Sequence, residues 1–283
     1  MLEHILKEAV RQNASDVHIK AGGVPVFRIN GVLNWQNLPA VSENVITSFI
    51  EQYGACAVNE TEADFCCCIA RAGSFRVHGY LQNGFPALAV RIIKSAVPSL
   101  SDLNAPTVLE KLAMQRSGLI LVTGPAGSGK STTLAAMVDF INRNKSAHIV
   151  TLEDPPEYMF TEDKSIISQR QVGSDTASFA LGLRAALRQD PDVIMIGELR
   201  DAQTAAGAVS AAETGHLVLA TLHTRSAVLA VSRMLDFFAP EKQQQMRAQL
   251  AENLQAGFAA QVFSGGYSAA ACSGLPWRKN CSF

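Results

Sequence analysis

The stretch GLILVTGPAGSGKSTT, Gly118–Thr133, decides the reading of this chain. An apolar run leads into a loop of small residues. The loop then opens a helical pattern, KSTTLAAMVDFINRN. From Gly124 to Ser131 it fits G-x-x-x-x-G-K-[ST] in the strand-loop-helix context that motif requires. Small residues let backbone amides come close to a polyphosphate, and the helix start adds its positive end. The cradle is Gly124, Pro125, Ala126, Gly127, Ser128, Gly129, Lys130, Ser131 and Thr132. Lys130 suits the β and γ oxygens of ATP, and Ser131 suits Mg²⁺.

Such a cradle needs a carboxylate at the end of another core strand. DVIMIGELRD supplies it: an apolar run leads to Gly197, which would leave room beside the nucleotide, and then to Glu198, a ligand to Mg²⁺ directly or through water. TLEDPPEY, Thr151–Tyr158, ends a third apolar strand in Glu153 and Asp154, followed by two prolines and Glu157. TGHLVLATLHTRSA is a fourth strand bracketed by His216 and His223, placed to sense a γ-phosphate or bridge subunits. Helical patterns such as TASFALGLRAALRQ and DAQTAAGAVSAAETG separate these strands. That alternation predicts an α/β domain with a largely parallel sheet.

The first hundred or so residues read differently, as a small α+β unit. Positions 2–12 are helical in period, DVHIKA and VFRINGVL alternate as strands, and Asn83-Gly84 marks a hairpin turn. The Ser- and Pro-rich SAVPSLSDLNAPT is a linker. The expected divisions are an N-terminal domain over 1–98, a linker over 99–107, an ATPase core over 108–261 and a tail over 262–283.

The bulk numbers narrow the function classes. The chain has 283 residues, is 48% hydrophobic and carries a net charge of −1, so no basic field supports nucleic-acid binding. The amino terminus is polar and amphipathic rather than a signal peptide. No apolar run reaches the roughly 20 residues that span a bilayer, so a cytoplasmic protein, peripheral to the membrane through partners, is expected. The adjacent Cys66, Cys67 and Cys68 point to alternate strand faces and are expected as small buried hydrophobes, not a metal site.

Together these motifs resemble the secretion-type ATPases of type IV pili and type II secretion, most of all the PilT-like pilus retraction ATPases. The resemblance rests on GPAGSGKSTT, TLEDPPEY, RAALRQDPDVIMIGELRD and AAETGHLVLATLHT, with ASDVHIKAGGVPVFRINGVL and FRVHGY in the first domain. It implies a PAS-like N-terminal domain, a RecA-like P-loop core and a homo-hexameric ring. It also implies docking on an inner-membrane pilus platform protein. Arg76 and Arg91 match arginines that approach the phosphates in the family. TLEDPPEY resembles the family's acidic box, so Glu157 is the expected water-orienting group. Glu153 would support it, and Asp154 would support Mg²⁺ or the turn. Pro156 stands where the family usually carries an aliphatic residue.

PEKQQQMRAQLAENLQAGFAAQ, residues 240–261, is expected as one helix. The remainder, VFSGGYSAAACSGLPWRKNCSF, lacks period and the family's AIRNLIRE-like motif. It reads as a frameshifted or truncated end with little order. Two other readings stand beside the retraction motor. One is an assembly or type II secretion ATPase, opposed by the missing tetracysteine insertion and the short N-terminal region. The other is a nucleotide-binding remnant that co-assembles with a homologous motor.

Overall fold

The computed structural model describes residues 1–54, 62–70, 72–93, 96–263 and 266–271, with side chains for all of these except 227–228 and 260–271. The chain divides into two compact units. One is Met1–Ala96 with Pro155–Met159, the other Val97–Asp154 with Phe160–Phe283.

The first unit runs α1 (Leu2–Arg11), β1 (Asp16–Lys20), β2 (Val26–Ile29), β3 (Val32–Trp35), α2 (Glu43–Tyr53), β4 (Glu62–Ile69), β5 (Gly73–Gln82) and β6 (Phe85–Ile93). Its sheet has the order β3-β2-β1-β6-β5-β4, with every pair antiparallel. Asn83 and Gly84 both take positive φ, at 54° and 81°, which is what a two-residue hairpin between Gln82 and Phe85 demands. One sheet face is apolar. Val17, Ile19, Phe75, Val77, Leu88 and Val90 form a core with Leu2, Ile5 and Leu6 of α1 and Ile46 and Phe49 of α2. The other face is charged, the half-solvated arrangement open to antiparallel sheets.

The cysteine triplet follows that alternation rather than lying wholly inside. Only Cys67 is buried; Cys66 is half-buried and Cys68 exposed. Burial pushes the Cys67 thiol up to about 12.

The second unit continues with α3 (Val108–Ala113), β7 (Gly118–Thr123), α4 (Lys130–Asn144), β8 (His148–Glu153), β9 (Ile166–Gln171), α5 (Phe179–Ala186) and β10 (Val193–Ile196). Then come α6 (Ala202–Glu213), β11 (Leu217–Leu222), α7 (Ala227–Asp236), α8 (Pro240–Asn253), β12 (Leu254–Phe263) and β13 (Gly266–Ala271). The sheet order is β13-β12-β7-β11-β10-β8-β9, parallel throughout except at β13. Both faces are covered, which explains the unbroken apolar strands. Leu119, Leu121, Ile194, Ile196, Val218 and Ala220 pack towards α5, α6, α7 and α8. Their neighbours Ile120, Val122, Val193, Met195, Leu217 and Leu219 pack towards α3 and α4.

The structure corrects the expected helix over 240–261. Helix α8 stops at Asn253, Leu254 turns extended (φ −72°, ψ 108°), and Leu254–Phe263 is a strand. The Ala-rich local pattern favours helix, but β7 would otherwise present an unpaired edge, and pairing with it wins. The expected aperiodic tail is corrected for its first part too, because Gly266–Ala271 pairs antiparallel with Phe258–Phe263. Residues 264–265 and 272–283, including Trp277, lie outside the described residues.

Phe258 is 2% exposed, lies in the core with Ile120 and Val122, and accepts the Thr123 hydroxyl on its carbonyl at 3.0 Å. Phe258→Ala is therefore expected to cost about 3–5 kcal/mol in equilibrium denaturation, the range for a buried aromatic. A loss under about 1 kcal/mol would mean that this strand does not close the sheet edge.

Candidate nucleotide site

The carboxyl ends of β7, β11, β10 and β8 fall on one edge of the sheet, in that order. Ile196 is level with Ala220 and Leu152, and Leu222 with Thr123. The Gly124–Gly129 loop, His223, Glu198 and Glu153 therefore succeed one another along that edge. Adjacent strands are about 4.8 Å apart. An edge of this kind is where open α/β sheets bind ligands.

The loop is built by glycines at φ 152° (Gly124), 75° (Gly127) and 87° (Gly129), a geometry that L side chains rarely adopt. A Cβ at Gly127 would meet nothing within 4 Å, so conformation and not crowding requires glycine there. Gly129 caps α4, whose first turn holds no acidic residue. Thr133 Oγ1 donates to the Gly129 carbonyl at 2.9 Å and stiffens this entry. Lys130 is 6% exposed, and its Nζ donates to the Pro125 carbonyl at 2.8 Å, across the loop. Ser128 Oγ is buried and has no hydrogen-bond partner among the described residues. An orphaned hydroxyl, a folded-back lysine and a helix start without an acid fit a polyphosphate. Ser131 and Thr132 are half-buried in the first turn of the helix.

The acids beside the loop occupy three environments. Glu153 is 8% exposed, and its Oε1 accepts Thr151 Oγ1 and Gln169 Nε2, each at 2.8 Å. Asp154 is exposed and paired with Arg200, Nη1 to Oδ2 at 2.9 Å. Glu198 receives Arg200 Nε on Oε2 at 2.7 Å, while Oε1 lies 3.3 Å from His223 Nε2. The Glu198 carboxylate raises the Arg200 pKa above its ordinary value. Glu157 is exposed, belongs to the segment that groups with the first unit, and has no hydrogen-bond or ion-pair partner among the described residues. The three acids of TLEDPPEY thus differ in burial and in partners.

The two histidines are separated. His223 leaves the carboxyl end of β11, beside Glu198. His216 precedes the amino end of the strand, where its carbonyl accepts Gly118 N at 3.0 Å and its Nδ1 meets the Ala211 carbonyl at 2.9 Å. Six strand residues put it about 20 Å from the edge that holds the loop. His216 thus closes the end of α6, a strand's length from the loop.

In the first unit, Arg76 and Arg91 face each other across β5 and β6. Arg91 Nε donates to Asp16 Oδ1 at 2.9 Å. Both arginines line a cavity of about 330 Å³ with Asp16, His18, Asp64 and His78.

Sequence reasoning missed Arg200 and Gln169. The Thr221 hydroxyl donates to the Gly197 carbonyl and ties β11 to the exit of β10. Asp201 was legible only as part of GELRD, and it proves to be the cap of α6, accepting Thr204 N at 2.8 Å. For Arg200 a signal existed: an arginine two residues after the acid, in a run with no other cation.

Gly197 needs a different account from the expected one. A Cβ there would stand 3.2 Å from the Leu152 carbonyl of β8 and 3.5 Å from Glu153 Cα. The missing side chain makes room for the neighbouring strand. Backbone cannot yield as a side-chain tip does, so Gly197→Ala is expected to destabilise the fold by about 1–3 kcal/mol. Unchanged thermal stability would show that the two strands part freely at this point.

The sequence profile of the family described as "Type II/IV secretion system protein" matches residues 74–262. The "Uncharacterized protein YggR" of Escherichia coli K12 is 44% identical over 257 residues, covering 90% of this chain and 79% of that protein. The "Type IV pilus retractation ATPase PilT" of Pseudomonas aeruginosa PAO1 is 39% identical over 259 residues, covering 90% and 75%. Among solved structures, the pilus retraction motor PilT with bound ADP superposes with a TM-score of 0.86 at 39% identity, covering 99% of this chain and 86% of that one.

Proposed function

Because the chain belongs to the Type II/IV secretion system protein family, we propose that it is an ATP-hydrolysing motor of the type IV pilus retraction class. The observation that carries this is the loop itself: Lys130 folded onto the Pro125 carbonyl beside the orphaned Ser128 hydroxyl, on the sheet edge that also bears Glu153, His223 and Glu198. The bound ADP of the PilT structure and the retraction activity in the P. aeruginosa relative's name support the same reading.

In this reading the backbone N–H groups of Gly124 and Ala126–Thr132, with Lys130, hold the phosphates. Ser131 and Glu198, with Asp154, would hold Mg²⁺, which would supply positive charge to the phosphates. Lys130 exchanges a backbone carbonyl for phosphate oxygens, so its charge is present in the loop before the nucleotide arrives. Glu157 orients the attacking water, and Glu153, which accepts from Thr151 and Gln169, supports it. The exposed position of Glu157 suits a group that must meet solvent water. His223 reads the phosphate end through Glu198. Arg76 and Arg91 stabilise charge on the transferred group, and Arg91 is presented by Asp16.

Assembly as a six-membered ring follows from the family resemblance, since a head-to-tail contact that repeats with closing rotation makes a ring. The inner-membrane partner would be the pilus platform protein, with a homologous motor as a second candidate. The protein would then work in the cytoplasm, and no helix among the described residues is long and apolar enough to cross a membrane.

ATP turnover of the purified chain tests the proposal. Lys130→Ala is expected to abolish turnover while far-UV circular dichroism stays unchanged; normal turnover would remove the phosphate-loop assignment. Glu157→Gln is expected to retain ATP binding and slow hydrolysis by about 10²- to 10⁴-fold, the range for loss of a positioned base. Normal turnover in Glu157→Gln with slow turnover in Glu153→Gln would move the role to Glu153.

A further inference from the structure

Among the described residues, Arg200 is the one side chain that touches both Asp154, which is exposed, and Glu198, which is half-buried. Its Nε reaches Glu198 Oε2 at 2.7 Å, and its Nη1 reaches Asp154 Oδ2 at 2.9 Å. The guanidinium therefore spans two acids that leave neighbouring strands, β10 and β8. It also lies 5.8 Å from the centroid of the Phe179 ring. The other oxygen of Glu198 faces His223. Every acceptor position turned towards Arg200 is thus taken by a cation with a planar, two-pronged shape.

A divalent metal at this edge would ask for the same lone pairs. Mg²⁺ requires near-octahedral oxygen ligands at about 2.0–2.1 Å and keeps its own waters where it can. A guanidinium hydrogen-bonded to Oε2 disfavours a second cation on that carboxylate, because the two positive charges would lie a few ångströms apart. We propose that Arg200 is a resident counter-cation, which holds Glu198 and Asp154 together in the metal-free site and competes with the divalent ion for them. The affinity for metal is then the difference between two cation–carboxylate arrangements. This rests on the proposed role of Glu198 at the metal.

The competition makes a prediction opposite to that of a merely structural arginine. If Arg200 only braced the two acids, removing it would let them splay and metal binding would weaken. If it competes, removing it must tighten metal binding. Arg200 is about half exposed, with 52% of its side chain accessible, so solvent screens the effect. The size expected of an exposed charge pair is roughly two- to fivefold in affinity.

The test is Mn²⁺ binding to the ADP-saturated full chain, followed by electron paramagnetic resonance of the free ion. Arg200→Gln is expected to bind Mn²⁺ roughly two- to fivefold tighter than the unaltered chain at low salt, the gap closing as ionic strength rises. Arg200→Lys should fall between them, since an ammonium reaches one carboxylate but does not bridge two. ADP affinity and melting temperature measured on the same samples confirm that each variant is folded. Unchanged or weaker Mn²⁺ binding in folded Arg200→Gln overturns the inference. Glu198→Gln separates the two levels: it must weaken Mn²⁺ binding if Glu198 faces the metal. Unchanged binding in Glu198→Gln removes that role and the competition with it. Weakened binding there, without tightening in Arg200→Gln, removes the competition alone.

Discussion

Three carboxylates, Glu153, Asp154 and Glu198, are carried by the exits of two adjacent parallel strands, and their mutual repulsion is the constraint the site is built around. Like charges on neighbouring strands repel unless donors or cations face them. Glu153 is answered by neutral donors, Thr151 and Gln169. Asp154 and Glu198 are answered by a single shared cation, Arg200. The backbone holds its side of the arrangement: Gly197 N donates to the Leu152 carbonyl at 2.8 Å, and the Thr221 hydroxyl donates to the Gly197 carbonyl. The strands cannot separate to relieve the charge without breaking those bonds.

What permits such an edge is the sheet behind it. Strands β7, β8, β10 and β11 are buried on both faces, alternate residues entering one core or the other. Small side chains let α6 settle closely on the sheet, with Ala205, Ala208, Ala211 and Ala212 all buried. Strand β12 closes the far side of β7, and its Phe258 carbonyl takes the hydroxyl of Thr123, the last residue before the loop. The loop thus departs from a strand that is hydrogen-bonded on both edges and packed on both faces. Its glycine conformations are held by a support that has little freedom to move.

Much of this was legible in the sequence. Unbroken apolar runs ending in Gly124, Glu153, Gly197 and His223 announce parallel strands whose ends can share an edge, and the G-x-x-x-x-G-K-S spacing says what that edge can hold. What was not legible depends on contacts between distant segments. Leu254–Phe263 reads as helix because its alanines favour helix, while the open edge of β7, remote in sequence, decides otherwise. His216 and His223 bracket one strand and look equivalent, yet a strand's length puts them on opposite edges. Glu157 looks like the equal of Glu153 and Asp154, yet it is exposed, has no partner among the described residues and belongs to the segment that groups with the first unit. Gly197 looks like space for a ligand and is space for a strand. Arg200 stands in plain view two residues after Glu198, but no local pattern says that its guanidinium reaches Asp154 on the next strand.

The account holds that Lys130 is parked on the Pro125 carbonyl and transfers to phosphate oxygens when nucleotide binds. A crystal structure of the chain with Mg²⁺ and a non-hydrolysable ATP analogue tests this most directly. The account predicts phosphate density inside the Gly124–Gly129 loop, Lys130 Nζ moved off the Pro125 carbonyl onto the phosphates, and the metal on the Ser131 and Glu198 side. Phosphates bound elsewhere, with Lys130 still on the Pro125 carbonyl, would contradict it.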